Sequence, residues 1–183
     1  LSGANLEGAN LTGAILNKAD LKRANLIGAD LSFALLFEAR LDGADATGAN
    51  FEEARMARVQ MINGTFDGAN FTNVDMREGR LGGTSFRNAT LSGSWLHVSQ
   101  LTRADLTGAI AIGTSFHNSN LVKATLVNAD LTEADLRQAD LREADFTNSN
   151  LTNAYFRAAL VLEAIFTGAT TKGTSFPAGF TPN

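Results

Sequence analysis

The chain of 183 residues has no cysteine, only two prolines, and a single tryptophan and tyrosine. Without cysteine there can be no disulfides, thiolate metal sites or cysteine nucleophiles. Two prolines beside seventeen glycines, with charged residues at 19%, exclude a proline-rich linker or a disordered polyampholyte. No apolar run approaches the ~18 residues of a membrane-crossing helix, and no basic-then-apolar leader opens the chain. A net charge of −4 is too small to announce a general nucleic-acid binder. Neither G-x-x-x-x-G-K-[ST] nor H-E-x-x-H occurs, and the two histidines have no nucleophile placed beside them in sequence. The expectation is a protein that is not an enzyme, with no catalytic residue, cofactor or metal.

What the sequence does have is a period. "ADLTEADLRQADLREADF", Ala129 to Phe146, repeats itself every five residues. With the frame set on Leu6, thirty-six positions run from Leu1 to Phe176 and thirty-two of them are Leu, Phe or Met; the exceptions are Ala46, Ala111, Val161 and Thr171. Two residues before each centre stands a small side chain, mostly Ala. Five residues of α-helix advance a side chain by about 500°, a net 140°, so the centres would spread round the cylinder. On a strand, an odd spacing would send alternate centres to opposite faces. A chain that bends at every repeat meets neither objection: all centres point inward, and successive coils of a solenoid supply each other's hydrogen bonds.

Every twentieth residue from Gly8 (Gly8, Gly28, Gly48, Gly68, Asn88, Gly108, Asn128, Asn148, Gly168) is Gly or Asn, the residues that tolerate the positive φ of a type II turn. The parallel columns contain Arg23, Phe33 and Glu38. Twenty residues per coil, four sides and about nine coils follow, giving a rod ~43 Å long at the usual strand spacing of ~4.8 Å. The small residue before each centre is a packing demand of a narrow section. Asn and Asp just before the centre are expected to cap turns.

The motif A(N/D)LxG, seen as "ANLEG", "ANLTG" and "ADLTG", resembles that of the pentapeptide-repeat family over essentially the whole chain, and "GTSFPAGFTPN" resembles the closing segment of cyanobacterial members. The resemblance implies an all-β fold, a right-handed quadrilateral parallel β-helix. The expected organisation is a β-helix over 1–176 and a C-terminal capping segment over 177–183, with Phe180 in the lid. One function the resemblance implies is protection of DNA gyrase by imitating DNA. Duplex DNA carries one charge per ~1.7 Å of axis, on the order of 25 over such a rod. The four faces, begun from the repeats of Leu1, Leu6, Leu11 and Leu16, carry net charges of +2, −4, −4 and +2. Mimicry is therefore the alternative, and a scaffold or protein-interaction surface is preferred.

The fourth face holds the least regular column: Arg77, His97, His117, Arg137 and Arg157 at twenty-residue steps, beside Trp95 and Tyr155. Stacked like charges repel, so these seven residues form a candidate binding face; relief by Asp75, Glu78 and Asp135 is the opposing account. Leu160, Leu162 and Ile165 form a candidate interface, and Ile15, Phe33, Leu35 and Phe37 an N-terminal apolar cluster, either of which end caps could cover. In "GAIAIG" a local twist is expected to turn one of Ile110 and Ile112 inward. The expected partner is another protein rather than DNA, and the chain itself a monomer, or a homodimer joined through an end coil. Because Leu1 already lies inside the repeat, the chain reads as part of a longer product lacking its N-terminal cap. The cytoplasm is the favoured compartment, with an exported or lumenal one open.

Overall fold

In the computed structural model, which describes residues 1–182, the backbone bends once in every repeat and no strand is longer than a single bridging residue. The residue before each centre pairs in parallel with the residues twenty positions before and after it, from Asn5↔Asn25 through Tyr155↔Ser175. One turn of the solenoid is therefore twenty residues, and each side of a turn is one repeat.

The repeat motif is explained by following its five N–H groups, since a buried N–H left unpaired costs stability. In the repeat centred on Leu26, the Leu26 N–H donates to Asp45 C=O of the next coil at 2.6 Å, and Gly28 N–H to Thr47 C=O at 2.9 Å. Asp30 N–H donates back to Ala9 of the previous coil at 2.9 Å, and Ala29 N–H closes the turn on Leu26 C=O at 3.0 Å. That leaves Ile27 N–H, which the Asn25 side chain accepts at 3.1 Å. Asn or Asp before the centre supplies the acceptor that the backbone cannot. The same bond recurs at Asp30, Asn70, Asp105 and Asp145, so the expected turn-capping role is observed.

The left-handed backbone is not confined to the Gly/Asn column. The second residue after the centre has positive φ in every turn from Gly3 to Gly173, including Lys18, Phe33, Glu38 and Val98 (φ 62°). At two glycines of the column that revealed the coil length a further constraint acts, whereas Gly8, Gly28, Gly48 and Gly68 face open space. Gly108 and Gly168 lie above Asn88 and Asn148, whose Oδ1 atoms occupy the place a methyl group would take.

From Leu21 to Phe156 the centres are fully buried, together with the alanines between them. The phenylalanines cluster into two stacks: Phe51, Phe66, Phe71 and Phe86, and Phe146, Phe156, Phe166, Phe176 and Phe180. Before Phe66 the small position shrinks to glycine: a methyl added at Gly64 would come within 2.6 Å of the Phe66 ring. In several coils Ser or Thr replaces the small Ala without leaving a buried hydroxyl unpaired. Ser94 Oγ accepts Val74 N–H at 2.8 Å and donates to Phe71 C=O, inserting itself into the turn of the coil below.

Two expectations need correction. Ile110 and Ile112 are both exposed and the ladder Thr90↔Ile110↔Asp130 is regular, so no twist turns either inward; Ala111 fills the small centre alone. Leu35 is half-buried between its column neighbours, unlike Ile15, Phe33 and Phe37, which are exposed.

Candidate functional site

Hydrogen-bond accounting sets the fourth face furthest from the motif, with the first face, where Asp20, Asn120 and Asp140 alone keep it, next. The fourth face's column before the centre reads Ile15, Leu35, Arg55, Asp75, Trp95, Ser115, Asp135, Tyr155, Ser175, and only Asp75 and Asp135 are the Asn or Asp that the turn requires. On the third face the same column keeps Asn10, Asp30, Asn50, Asn70, Asp130 and Asn150. An indole nitrogen is a donor only, so Trp95 cannot accept the His97 N–H. The turn gains no hydrogen bond there from the side chain, which is 49% exposed.

Asp75 and Asp135 do two things at once. Each accepts the backbone N–H two residues on, and each holds the guanidinium of that residue in a two-pronged bond: Arg77 to Asp75 at 2.7 and 2.7 Å, Arg137 to Asp135 at 2.8 and 2.7 Å. Arg142 and Asp140 repeat the arrangement on the first face. Repulsion in the Arg77–His97–His117–Arg137–Arg157 column is thus relieved within single repeats at Arg77 and Arg137. Arg157 makes no ion pair among the described residues.

Burial pushes the Asp75 and Asp135 carboxyls up, but hydrogen bonds from their arginines more than offset it and hold both below the usual aspartate value. At Asp140 the Arg142 hydrogen bond is the leading effect and acts in the same direction. Folded-state values below the unfolded ~3.9 mean that this stabilisation is complete above about pH 4 and is lost as pH falls through the lowered folded values. The melting temperature is therefore expected to hold from pH 7 to 5 and drop below 4. In the triple variant Asp75→Asn, Asp135→Asn, Asp140→Asn the drop should be shallower; an acid limb of unchanged depth would contradict the assignment.

The predicted site residues do not form one groove. Arg77, Trp95 and His97 surround a depression of about 250 Å³ together with Asp75. His117, Arg137 and Arg157 line a separate one of about 270 Å³ with Gln138 and Ala158. Tyr155 is exposed and bridges Asp135 in the neighbouring column. The Leu160, Leu162 and Ile165 patch stays open: Leu162 is 68% exposed, while the Phe180 ring lies on Phe166 and Phe176 at the end of the core.

Sequence reading missed two features. Lys18, Glu38, Arg58 and Glu78 alternate in charge up one corner, with separations of 3.7, 3.6 and 2.9 Å; taking that column at twenty-residue steps would have revealed it. Arg55 was missed as well: it lies one coil below Asp75 and borders two further depressions. No group of three or more His, Cys, Asp or Glu able to hold a metal occurs among the described residues. No helix among them is long and apolar enough to cross a membrane.

Comparison with known proteins agrees with this geometry. The family model for pentapeptide repeats matches residues 4–41, 34–73, 66–97, 99–138 and 139–176. A comparison with curated protein sequences found no match. Among solved structures, HetL of the cyanobacterium Nostoc sp. strain PCC 7120, involved in heterocyst differentiation regulation, is 24% identical with a TM-score of 0.61, over 97% of this chain and 91% of HetL. A pentapeptide-repeat protein of the Arabidopsis thaliana thylakoid lumen is 31% identical with a TM-score of 0.53, over 54% of this chain and 69% of that one. QnrB1, a plasmid-mediated fluoroquinolone resistance protein, is 17% identical with a TM-score of 0.58, over 96% of this chain and 90% of its own. A motif whose every residue has a place in the coil, matched by the family model almost from end to end, makes this chain a member of the pentapeptide-repeat family.

Proposed function

We propose that the chain is a non-enzymatic scaffold, a right-handed quadrilateral β-helix of about nine coils over 1–176, whose fourth face binds another protein. Residues 177–183 act as the C-terminal cap through Phe180; Asn183 lies outside the described residues. The observation that carries the reading is Trp95: a large aromatic, half exposed, placed where the repeat calls for Asn or Asp and flanked by depressions. Exposed Trp, Tyr and Arg are the side chains that dominate protein interfaces, and Tyr155, Arg137 and Arg157 continue the face with His117. Leu160, Leu162 and Ile165 are the surface through which an end-coil homodimer would form.

The alternative is a DNA-mimicking protector of gyrase. Its support is the pair of acidic faces, but several of their carboxylates, such as Asp30, Asp45 and Asp105, are engaged in capping turns. A supercoiling assay with purified gyrase separates the two readings, since inhibition by this protein would favour mimicry.

The protein-binding reading is tested by placing a photo-crosslinking residue at His97, and as a control at Val127 on the second face, in the protein expressed in its own cells. Protein adducts are expected from position 97 and not from 127, and they should disappear in Trp95→Ala. Equal labelling from both faces, or none from position 97, would overturn it.

A further inference from the structure

Leu35, Arg55, Asp75 and Trp95 stand in one column of the fourth face, joined by successive bridges. Three coil steps separate Leu35 from Trp95, about 14 Å at the usual spacing. Below Trp95 the surface is concave along this whole length. One depression of about 340 Å³ lies over Leu35, Phe37 and Ala57 with the Asp75–Arg77 pair on its rim, and another, more polar, of about 420 Å³ lies against Trp95 and Ala54 with Asn73 and Asp75 beside them. Arg55 borders both.

The charges around these wells are spent, with one cationic exception. Arg77 is held by Asp75, and Arg58, which also lies over the Phe37 ring, is held between Glu38 and Glu78. Arg55 is exposed and makes no ion pair among the described residues. Glu53, at the corner two residues before Arg55 in the same coil, is also exposed, makes no ion pair among the described residues and lines the hollow beside Trp95. The strip thus offers an apolar well, a free guanidinium and an aromatic wall in sequence along the rod.

We propose that this strip docks an extended protein segment of the pattern apolar-x-acidic-x-apolar, lying parallel to the rod axis. The inference rests on the protein-binding reading of the fourth face and names the kind of partner. An extended chain rises ~3.4 Å per residue and turns alternate side chains to one side. Its residues i and i+4 are therefore about 14 Å apart on the same side, the separation of Leu35 and Trp95. Residue i+2 falls about 7 Å along, within reach of Arg55, which stands about 5 Å above Leu35. The two apolar side chains lie against Leu35 with Phe37 and against Trp95, and the carboxylate meets the one cation of the strip that makes no ion pair, in a charge-assisted guanidinium–carboxylate bond. A basic residue at i+2 would face Arg55 directly.

The test uses the acetylated, amidated peptide Ser-Phe-Ser-Glu-Ser-Leu-Ser and the intact protein. Trp95 is the only tryptophan, so its emission reports occupancy of the strip. A saturable emission change is expected with wild type, weakened at least tenfold when the peptide Glu becomes Lys. Arg55→Glu should reverse that preference, while its unchanged melting temperature shows that the fold persists. No saturable change up to millimolar peptide, or a change indifferent to the Glu-to-Lys swap in both proteins, would overturn the inference. The wider reading is judged separately: adducts from His97 that survive in Arg55→Glu would leave the fourth face as a protein interface while removing this strip from it.

Discussion

Phe71→Ala is expected to destabilise the rod by about 3–5 kcal/mol, the range for emptying a buried aromatic site. Phe71 has no exposed surface, and its ring stacks on Phe51 at 4.8 Å with 3° between planes and meets Phe86 edge-on at 5.6 Å. Its backbone cannot collapse into the cavity. Phe71 N–H donates to Thr90 at 2.7 Å in the coil above, and its C=O accepts the Ser94 hydroxyl. Chemical denaturation followed by far-ultraviolet circular dichroism measures the loss. A cost below about 1 kcal/mol would mean that neighbouring phenylalanines refill the space, contrary to the close packing of interiors.

Ala24→Leu has the second largest expected effect and the opposite cause. Ala24 is buried, its N–H closes the turn on Leu21 at 3.1 Å, and its C=O accepts Asp45 N–H at 3.0 Å. The site is held from within its own coil and from the next, so three added carbons must push outward. Overpacking of this kind typically costs about 1–3 kcal/mol. The two variants differ in where the damage travels. A cavity at Phe71 is felt locally, whereas widening one coil at Ala24 disturbs the bond that Asn25 N–H donates to Ala4 C=O below and the one that Ala24 C=O accepts from Asp45 N–H above. Hydrogen exchange should therefore show lost protection in neighbouring coils for Ala24→Leu, in keeping with nearest-neighbour coupling in repeat proteins. Full stability of Ala24→Leu would remove the argument that the small residue is a packing demand.

The interior was legible because a five-residue period leaves little freedom. Given centres at Leu21, Leu26 and Leu31, only a bend in each repeat keeps all three inside, and the twenty-residue Gly/Asn column then sets the coil. Ile110 and Ile112 show the limit of that reasoning. Hydrophobicity alone suggested that one should turn inward, but the backbone ladder does not yield, and both remain outside.

The site was legible as a face and not as a set of contacts. Trp95, His97 and the arginines were placed on one side of the rod by counting in twenties, but counting could not say which of them were engaged. Arg77 and Arg137 look like free cations in the column and are held by Asp75 and Asp135 two residues earlier. Arg55 drew no notice and, of the cations bordering the hollows below Trp95, is the one that makes no ion pair among the described residues. The sequence by itself determined the solenoid, its core and the identity of each face, because those follow from where the backbone must place every fifth residue. Only the tertiary structure decided which charges cancel and where the surface is hollow. Long side chains choose among rotamers according to neighbours a full coil away, and that choice leaves no periodic trace in the chain.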